Sequence, residues 1–188
     1  MKPIVRRLQA TAGSVMAVAI TLSATQALAL DEIFERHLKQ IKLPPGFHIE
    51  VFAEVPGARS LAYAPETGTV FVGSTREAVH AVIDTDKNGK AEAVTQILSR
   101  QKVPNGIAWH RDYLYVAEQH RITRYHARNF TPGQPWDAKA EVIYDQLPDK
   151  FHHGWRYIGF GPNDKLYVAV GSPCNICDPQ GIEGTSSA

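Results

Sequence analysis

Ser60-Leu61-Ala62-Tyr63-Ala64-Pro65, followed by Val70-Phe71-Val72-Gly73, decides the fold, because the chain writes the same phrase twice more. Gly106-Ile107-Ala108-Trp109-His110 leads to Leu114-Tyr115-Val116-Ala117, and Tyr157-Ile158-Gly159-Phe160-Gly161-Pro162 leads to Leu166-Tyr167-Val168-Ala169. Each copy is a short apolar strand, a polar turn and a second strand closing on an aromatic-Val-small step. The copies recur at roughly 45–50 residues, the size of one four-stranded propeller blade. An all-β fold of the β-propeller kind is the expectation.

Outward from these phrases, a first blade is predicted from Ser60–Ala64, Thr69–Gly73, Ala78–Asp84 and Glu92–Leu98. A second uses Gly106–His110, Tyr113–Glu118, Arg121–His126 and Glu141–Gln146, and a third stops after Lys165–Gly171. Propellers close with about four to eight blades, so a partial propeller of about two and a half blades is expected over residues 47–180. Residues 181–188 are small and polar without a strand pattern, and read as a disordered tail.

Ahead of the blades, Asp31 to Ile41 carries Ile33, Phe34, His37, Leu38 and Ile41 at helical spacing, with Asp31 and Glu32 suited to a first turn. Residues 30–46 are therefore expected to be a short helix and linker, ended by Leu43-Pro44-Pro45-Gly46, and Phe47–Ala53 alternates like a strand. Further upstream, Lys2, Arg6 and Arg7 precede an apolar core from Val15 to Leu22 and an Ala27-Leu28-Ala29 cleavage pattern. That core is too short to span a bilayer, so residues 1–29 read as a secretory signal peptide, the alternative being an uncleaved anchor. A periplasmic or secreted protein, cleaved near Ala29 and without stable membrane insertion, is expected.

Removing that leader leaves 17 Lys and Arg against 19 Asp and Glu, a formal charge of −2. Such a balance favours neither nucleic acid nor an anionic membrane surface as a partner.

Four groups of residues are candidates for chemistry. Asp84, Asp86 and Asn88 in Asp84-Thr85-Asp86-Lys87-Asn88-Gly89-Lys90 place oxygen ligands at positions one, three and five before a glycine, as a calcium loop begins. The twelfth position is Thr95 rather than Glu, Glu92 standing at the ninth, and a tight hairpin turn at Asn88-Gly89 accounts for the same residues. Cys174 and Cys177 lack the following His of a haem motif, the further ligands of a zinc site and the βαβ setting of a thioredoxin. In an exported setting a local disulfide is the reading that remains.

His152-His153 is the third group. Neighbours on extended chain point to opposite faces, so at most one of the two is expected to look toward the propeller axis. A neutral imidazole can take a proton from a sugar hydroxyl, although two histidines in a loop are more often structural than catalytic. Asn105, the fourth, is the clear candidate for a central calcium of a lactonase-like site.

Leu43-Pro44-Pro45-Gly46-Phe47, Ile83 through Ala91, Val103-Pro104-Asn105-Gly106, Leu114 through Glu118, His152-His153-Gly154-Trp155-Arg156-Tyr157-Ile158 and Gly161 through Asp178 together resemble the glucose/sorbosone dehydrogenases. The resemblance runs from Leu43 to Asp178 and covers that family's N-terminal half. It implies an exported six-bladed propeller that oxidises a sugar hydroxyl or aldehyde by hydride transfer to pyrroloquinoline quinone, with calcium as a further cofactor. His153 then falls where the family carries the base, His152 where it carries an orienting Asp, and Gln101 and Arg156 fall on the substrate side. His152 cannot supply the negative charge of that Asp.

Most family residues that hold the quinone come from later blades, so this chain alone is expected to be inactive, with exposed strand edges. The competing reading is a lactonase-like or non-catalytic binding propeller, since propellers host many activities.

Overall fold

The structure, a computed structural model, describes residues 33–172. The expected signal peptide, the cysteine pair Cys174 and Cys177, and the tail 181–188 lie outside the described residues. The chain divides into two units, Met1–Val51 and Phe52–Ala188. In the first, residues 33–38 form the predicted helix, which tightens at its end as Gln40 and Ile41 donate N–H bonds to His37 and Leu38. No described helix is long and apolar enough to cross a membrane.

The predicted strand at Phe47–Ala53 does not form: the segment runs without a ladder. Alternation alone does not make a strand when no neighbour offers a matching row of backbone groups. The backbone bond recorded there joins Ala91 N–H to Phe52 O at 3.0 Å.

Among its described residues the second unit holds ten strands in three antiparallel sheets. Strands β1 (Ala58–Ala64), β2 (Thr69–Ser74), β3 (Val79–Ile83) and β4 (Ala93–Leu98) form one meander in chain order. A second follows in β5 (Gly106–His110), β6 (Tyr113–Ala117), β7 (Ile122–His126) and β8 (Ala140–Tyr144). Strands β9 (Tyr157–Phe160) and β10 (Leu166–Ala169) form the third.

Register repeats with the sequence. Leu61 pairs with Val72 and Tyr63 with Val70; Ile107 with Val116 and Trp109 with Leu114; Ile158 with Val168 and Phe160 with Leu166. On the opposite face Ala62 pairs with Phe71, Ala108 with Tyr115 and Gly159 with Tyr167. Because the strand period is two, these identical registers give every sheet one face rich in aliphatic side chains and another centred on a single ring.

The sheets stack by those faces. Leu114 and Val116 enter a core with Phe71, Val79, Ala81 and Ile107, between the first and second sheets. Their neighbours Tyr115 and Ala117 enter a second core with Ile158, Phe160 and Leu166, between the second and third. Phe71 stacks on Trp109 at 5.5 Å and tilts against Phe130 at 5.2 Å. Full burial of each such side chain is worth about 1.5–3 kcal/mol, so one strand, β6, secures both interfaces.

Strand directions sort the loops to two ends. Residues 75–78, 99–105, 118–121, 145–156 and 170–172 share one end, while 65–68, 84–92, 111–112, 127–139 and 161–165 share the other. Three-sheet stacking of meanders in this order is the β-propeller arrangement the repeat predicts.

Candidate functional site

At the first of these ends, the starts of β1 and β9 and the end of β10 border an open cavity of about 490 Å³. Arg59, Ser60, Asn105, Trp155, Tyr157 and Gly171 line it, with Ala58, Ala169 and Val170. The Arg59 guanidinium lies over the Trp155 ring, 4.3 Å from its centroid. Trp155 remains 45% exposed, leaving aromatic surface on which the apolar face of a sugar can rest.

Asn105 is buried and donates Nδ2–H to the Arg156 carbonyl at 2.6 Å. No carboxylate lines this cavity among the described residues, so the described wall offers a divalent cation little beyond the Asn105 amide.

The loops that carry the cavity are stapled by charged groups, of which Glu118 and Arg156 are buried. Glu118, 1% exposed, accepts the Lys102 backbone N–H at 2.7 Å and pairs with Arg121. Lys102 Nζ reaches Asp149 at 2.6 Å and holds that carboxyl below its usual range. Arg156, 2% exposed, donates Nε–H to Gln119 O at 3.0 Å and Nη2–H to Pro148 O. Burial pushes the Arg156 guanidinium down from its ordinary value, and its two carbonyl partners satisfy donors that water cannot reach. These bonds tie together residues 99–105, 118–121 and 145–156, and so fix where the histidine loop can sit.

That loop departs from the sequence reading. His152 and His153 lie in a turn, not extended chain, and His153 has φ +53. The left-handed residue turns the second side chain back, so both rings lie on one side with centroids 4.0 Å apart. The expectation of opposite faces fails for that reason.

His153 Nδ1 lies 2.8 Å from the Ser172 carbonyl oxygen. Its backbone closes on the cavity wall at Gly171, where an added Cβ would stand 2.5 Å from His153 O. The exposed imidazole stands next to the Gly171 rim and is not itself a lining group.

Other sequence candidates scatter. Gln101 accepts a bond from Tyr125 OH at 3.3 Å, donates to Ser99 O, and lines a separate groove of about 650 Å³ with Arg76, Arg100 and Lys102. Arg156 is a clamp within the loops, so neither residue reaches the cavity as a substrate-side group. Sequence reading missed Arg59 and did not single out Trp155; the available signal was an aromatic two positions after His153 in a loop.

Asp84, Asp86 and Asn88 lie at the far end, in the connection from β3 to β4. The tight turn expected at Asn88-Gly89 gives way to a longer loop laced by its own side chains. Asp84 accepts N–H bonds from Asn88 at 3.2 Å and Gly89 at 3.1 Å, and Asn88 accepts one from Lys90 at 2.8 Å. Glu92 accepts from Thr85 N–H at 2.7 Å, which holds its carboxyl below the usual range. Oxygens of Asp84, Asp86 and Glu92 come within 4.8 Å of one another, a donor set of the kind hard cations use. By strand direction this loop and the histidine loop sit at opposite ends of the sheets, so they do not form one site.

No family model matches the sequence, and no curated protein matches it. Among solved structures the chain is similar to a gluconolactonase from Xanthomonas campestris, with a TM-score of 0.50 and 18% identity over 69% of this chain and 40% of that one. It is also similar to a putative oxidoreductase (glucose dehydrogenase) from Thermus thermophilus, with a TM-score of 0.49 and 18% identity over 65% of this chain and 39% of that one. The chain therefore spans about two fifths of the length of each. At that identity the first likeness establishes the propeller-type fold.

Proposed function

We propose that this chain is the sugar-side part of an exported, quinone-dependent sugar dehydrogenase of the aldose or sorbosone type, with His153 as its base. The observation that carries the reading is the 2.8 Å contact from His153 Nδ1 to the Ser172 carbonyl. A carbonyl oxygen only accepts, so Nδ1 carries a proton, and in the neutral ring Nε2 is the nitrogen left with a lone pair to accept one. The His152 ring, tilted against it with centroids 4.0 Å apart, restricts its rotation.

The sugar would lie on Trp155 beside Arg59, with hydroxyls toward Ser60 and Asn105. The hydroxyl being oxidised would extend past Gly171 to the exposed His153 ring, where Nε2 would take its proton as the carbinol carbon becomes a carbonyl. The carbinol C–H hydrogen leaves with both bonding electrons as hydride, which a two-electron acceptor outside the described residues has to receive.

The described residues do not fit pyrroloquinoline quinone by themselves. Its three carboxylates need several cations, whereas Arg59 is the lining cation of the cavity and the Arg156 guanidinium is spent on Gln119 and Pro148. Any quinone site, and a calcium beside it, therefore depends on groups other than these.

A second reading is sugar-lactone hydrolysis, favoured by the likeness to a gluconolactonase and by the position of Asn105 on the cavity wall. The two part in one assay. In a protein that carries these residues together with a complete quinone site, dye reduction with quinone, calcium and an aldose that disappears in His153→Ala supports oxidation, and unchanged turnover in that variant removes His153 as the base. Acid release from gluconolactone without dye reduction supports the hydrolase instead.

A further inference from the structure

The sequence holds two Asn-Gly pairs, Asn88-Gly89 and Asn105-Gly106, and the fold places them in opposite circumstances. A glycine after asparagine has no side chain to shield its backbone nitrogen, which can therefore attack the side-chain carbonyl carbon, Cγ, of the residue before it. Asn105 is 7% exposed, its Nδ2 is spent on the Arg156 carbonyl, and Gly106 pairs with Ala117 in the ladder of β5 and β6. Attack there would have to break both. Asn88 is exposed, in the loop from β3 to β4, and is followed by Gly89 at φ +87.

Three hydrogen bonds around Asn88 fall on the three groups that such an attack involves. Asp84 Oδ2 accepts the Gly89 N–H at 3.1 Å, so a carboxylate already holds the proton that has to leave the attacking nitrogen. Lys90 N–H donates to Asn88 Oδ1 at 2.8 Å, the oxygen that gathers negative charge as Cγ becomes tetrahedral. Asp86 Oδ2 accepts from Asn88 Nδ2 at 2.9 Å, on the group that departs. One loop thus supplies a proton acceptor, an oxyanion donor and a contact to the leaving group.

We propose that Asn88 is a self-modifying site, which loses its side-chain amide in the folded protein with Asp84 as the base, while Asn105 keeps its own. The Gly89 nitrogen bonds to Asn88 Cγ as Asp84 takes its proton; the Cγ–Nδ2 bond breaks, the proton passes through water to Nδ2, and ammonia leaves behind a cyclic imide. Water then adds to either imide carbonyl and opens the ring at that C–N bond, giving aspartate or isoaspartate. No oxidant or cofactor enters. Either product adds a negative charge beside Asp84, Asp86 and Glu92, and isoaspartate also lengthens the backbone by a methylene. The loop stands at the opposite end of the sheets from His153, so the change leaves the sugar cavity as it is.

Incubation of the full chain at neutral pH, followed by peptide mapping with mass spectrometry, tests this, isoaspartate and aspartate being separated by chromatographic retention. In the folded chain Asn88 is expected to convert and Asn105 to persist, while in guanidinium chloride the two should convert at similar rates. Asp84→Ala should slow Asn88 by about tenfold or more when folded and not at all in denaturant, and Asp84→Glu should recover part of that loss. Persistence of Asn88 alongside Asn105 in the folded chain overturns the proposal, as does an unchanged rate in Asp84→Ala. Unequal rates in denaturant, or an effect of Asp84→Ala that survives there, would put the contrast in neighbouring residues rather than in the fold and overturn it too. Slowing by Asp84→Ala that Asp84→Glu leaves unrepaired would mean that the shape of the loop, and not a carboxylate base, sets the rate.

Discussion

Asn105 and Arg156 hold each other across the start of two sheets: the Asn105 amide donates to the Arg156 carbonyl at 2.6 Å, while the Arg156 side chain binds the carbonyls of Gln119 and Pro148. The approach to β5, the turn after β6 and the approach to β9 are thereby one polar unit, and the cavity is built on it. Arg156→Met should cost about 3 kcal/mol, because a buried pair of carbonyls loses a charged donor. Arg156→Lys should recover little, one ammonium being unable to reproduce the planar fork. Urea unfolding measures both, and a loss under about 0.5 kcal/mol for Arg156→Met would place the guanidinium elsewhere.

Gly73→Ala should damage the interface between the first two sheets. A Cβ there would lie 2.5 Å from Asn105 O and 2.6 Å from both Pro104 O and the Ile107 side chain. Backbone oxygens cannot step aside as a side-chain tip can, so a loss of about 1–3 kcal/mol is expected. Denaturant midpoints of the variant and wild type decide it.

His80 should make the fold acid-sensitive. It is 9% exposed, Nδ1 has no hydrogen-bond partner among the described residues, and burial pushes the imidazole below its ordinary value of 6.5. The unfolded chain takes up a proton as pH falls through about 6.5 and the folded one resists until lower pH. Stability from this group is therefore present above about pH 6.5 and lost as pH falls toward the depressed value. Melting temperature should drop more between about pH 7 and pH 5 for the wild type than for His80→Leu; equal drops would remove His80 as the cause.

His153→Gly and His153→Ala should separate backbone from chemistry. Both lose the bond to Ser172 and the proton-accepting ring, but only Ala keeps a Cβ at φ +53. The Gly variant should be the more stable by about 1 kcal/mol, and neither should support sugar oxidation. An Ala variant at least as stable as the Gly variant would mean that the turn is not left-handed in solution.

Trp155→Ala should weaken sugar binding and raise KM more than it lowers kcat, since the ring holds the substrate and moves no proton. Equal losses in both parameters would argue against a binding role.

The strands were legible because each combines period-two alternation with a partner carrying the same pattern: Ile107 and Trp109 face one way, Tyr115 and Ala117 the other, as their sequence positions require. Phe47–Ala53 shows the limit, since its alternation is as clear and no ladder receives it. His152-His153 shows another, because nothing in the identity of a histidine announces a left-handed backbone, and that one dihedral reverses the expected divergence of the rings.

By itself the sequence determined the repeat, the register it implies, and the aliphatic and aromatic faces of each sheet, all of which follow from local side-chain direction along a strand. Only the tertiary structure decided that Arg156 is a buried clamp, that Gln101 belongs to another groove, that Arg59 meets Trp155 across the cavity, and that the Asp84 loop stands at the opposite end from His153. Those facts depend on which loops the stacked sheets bring side by side, and chain distance carries no measure of that: Arg59 and Trp155 meet at one end of the stacked sheets, while the acidic loop is sent away by the direction of one strand.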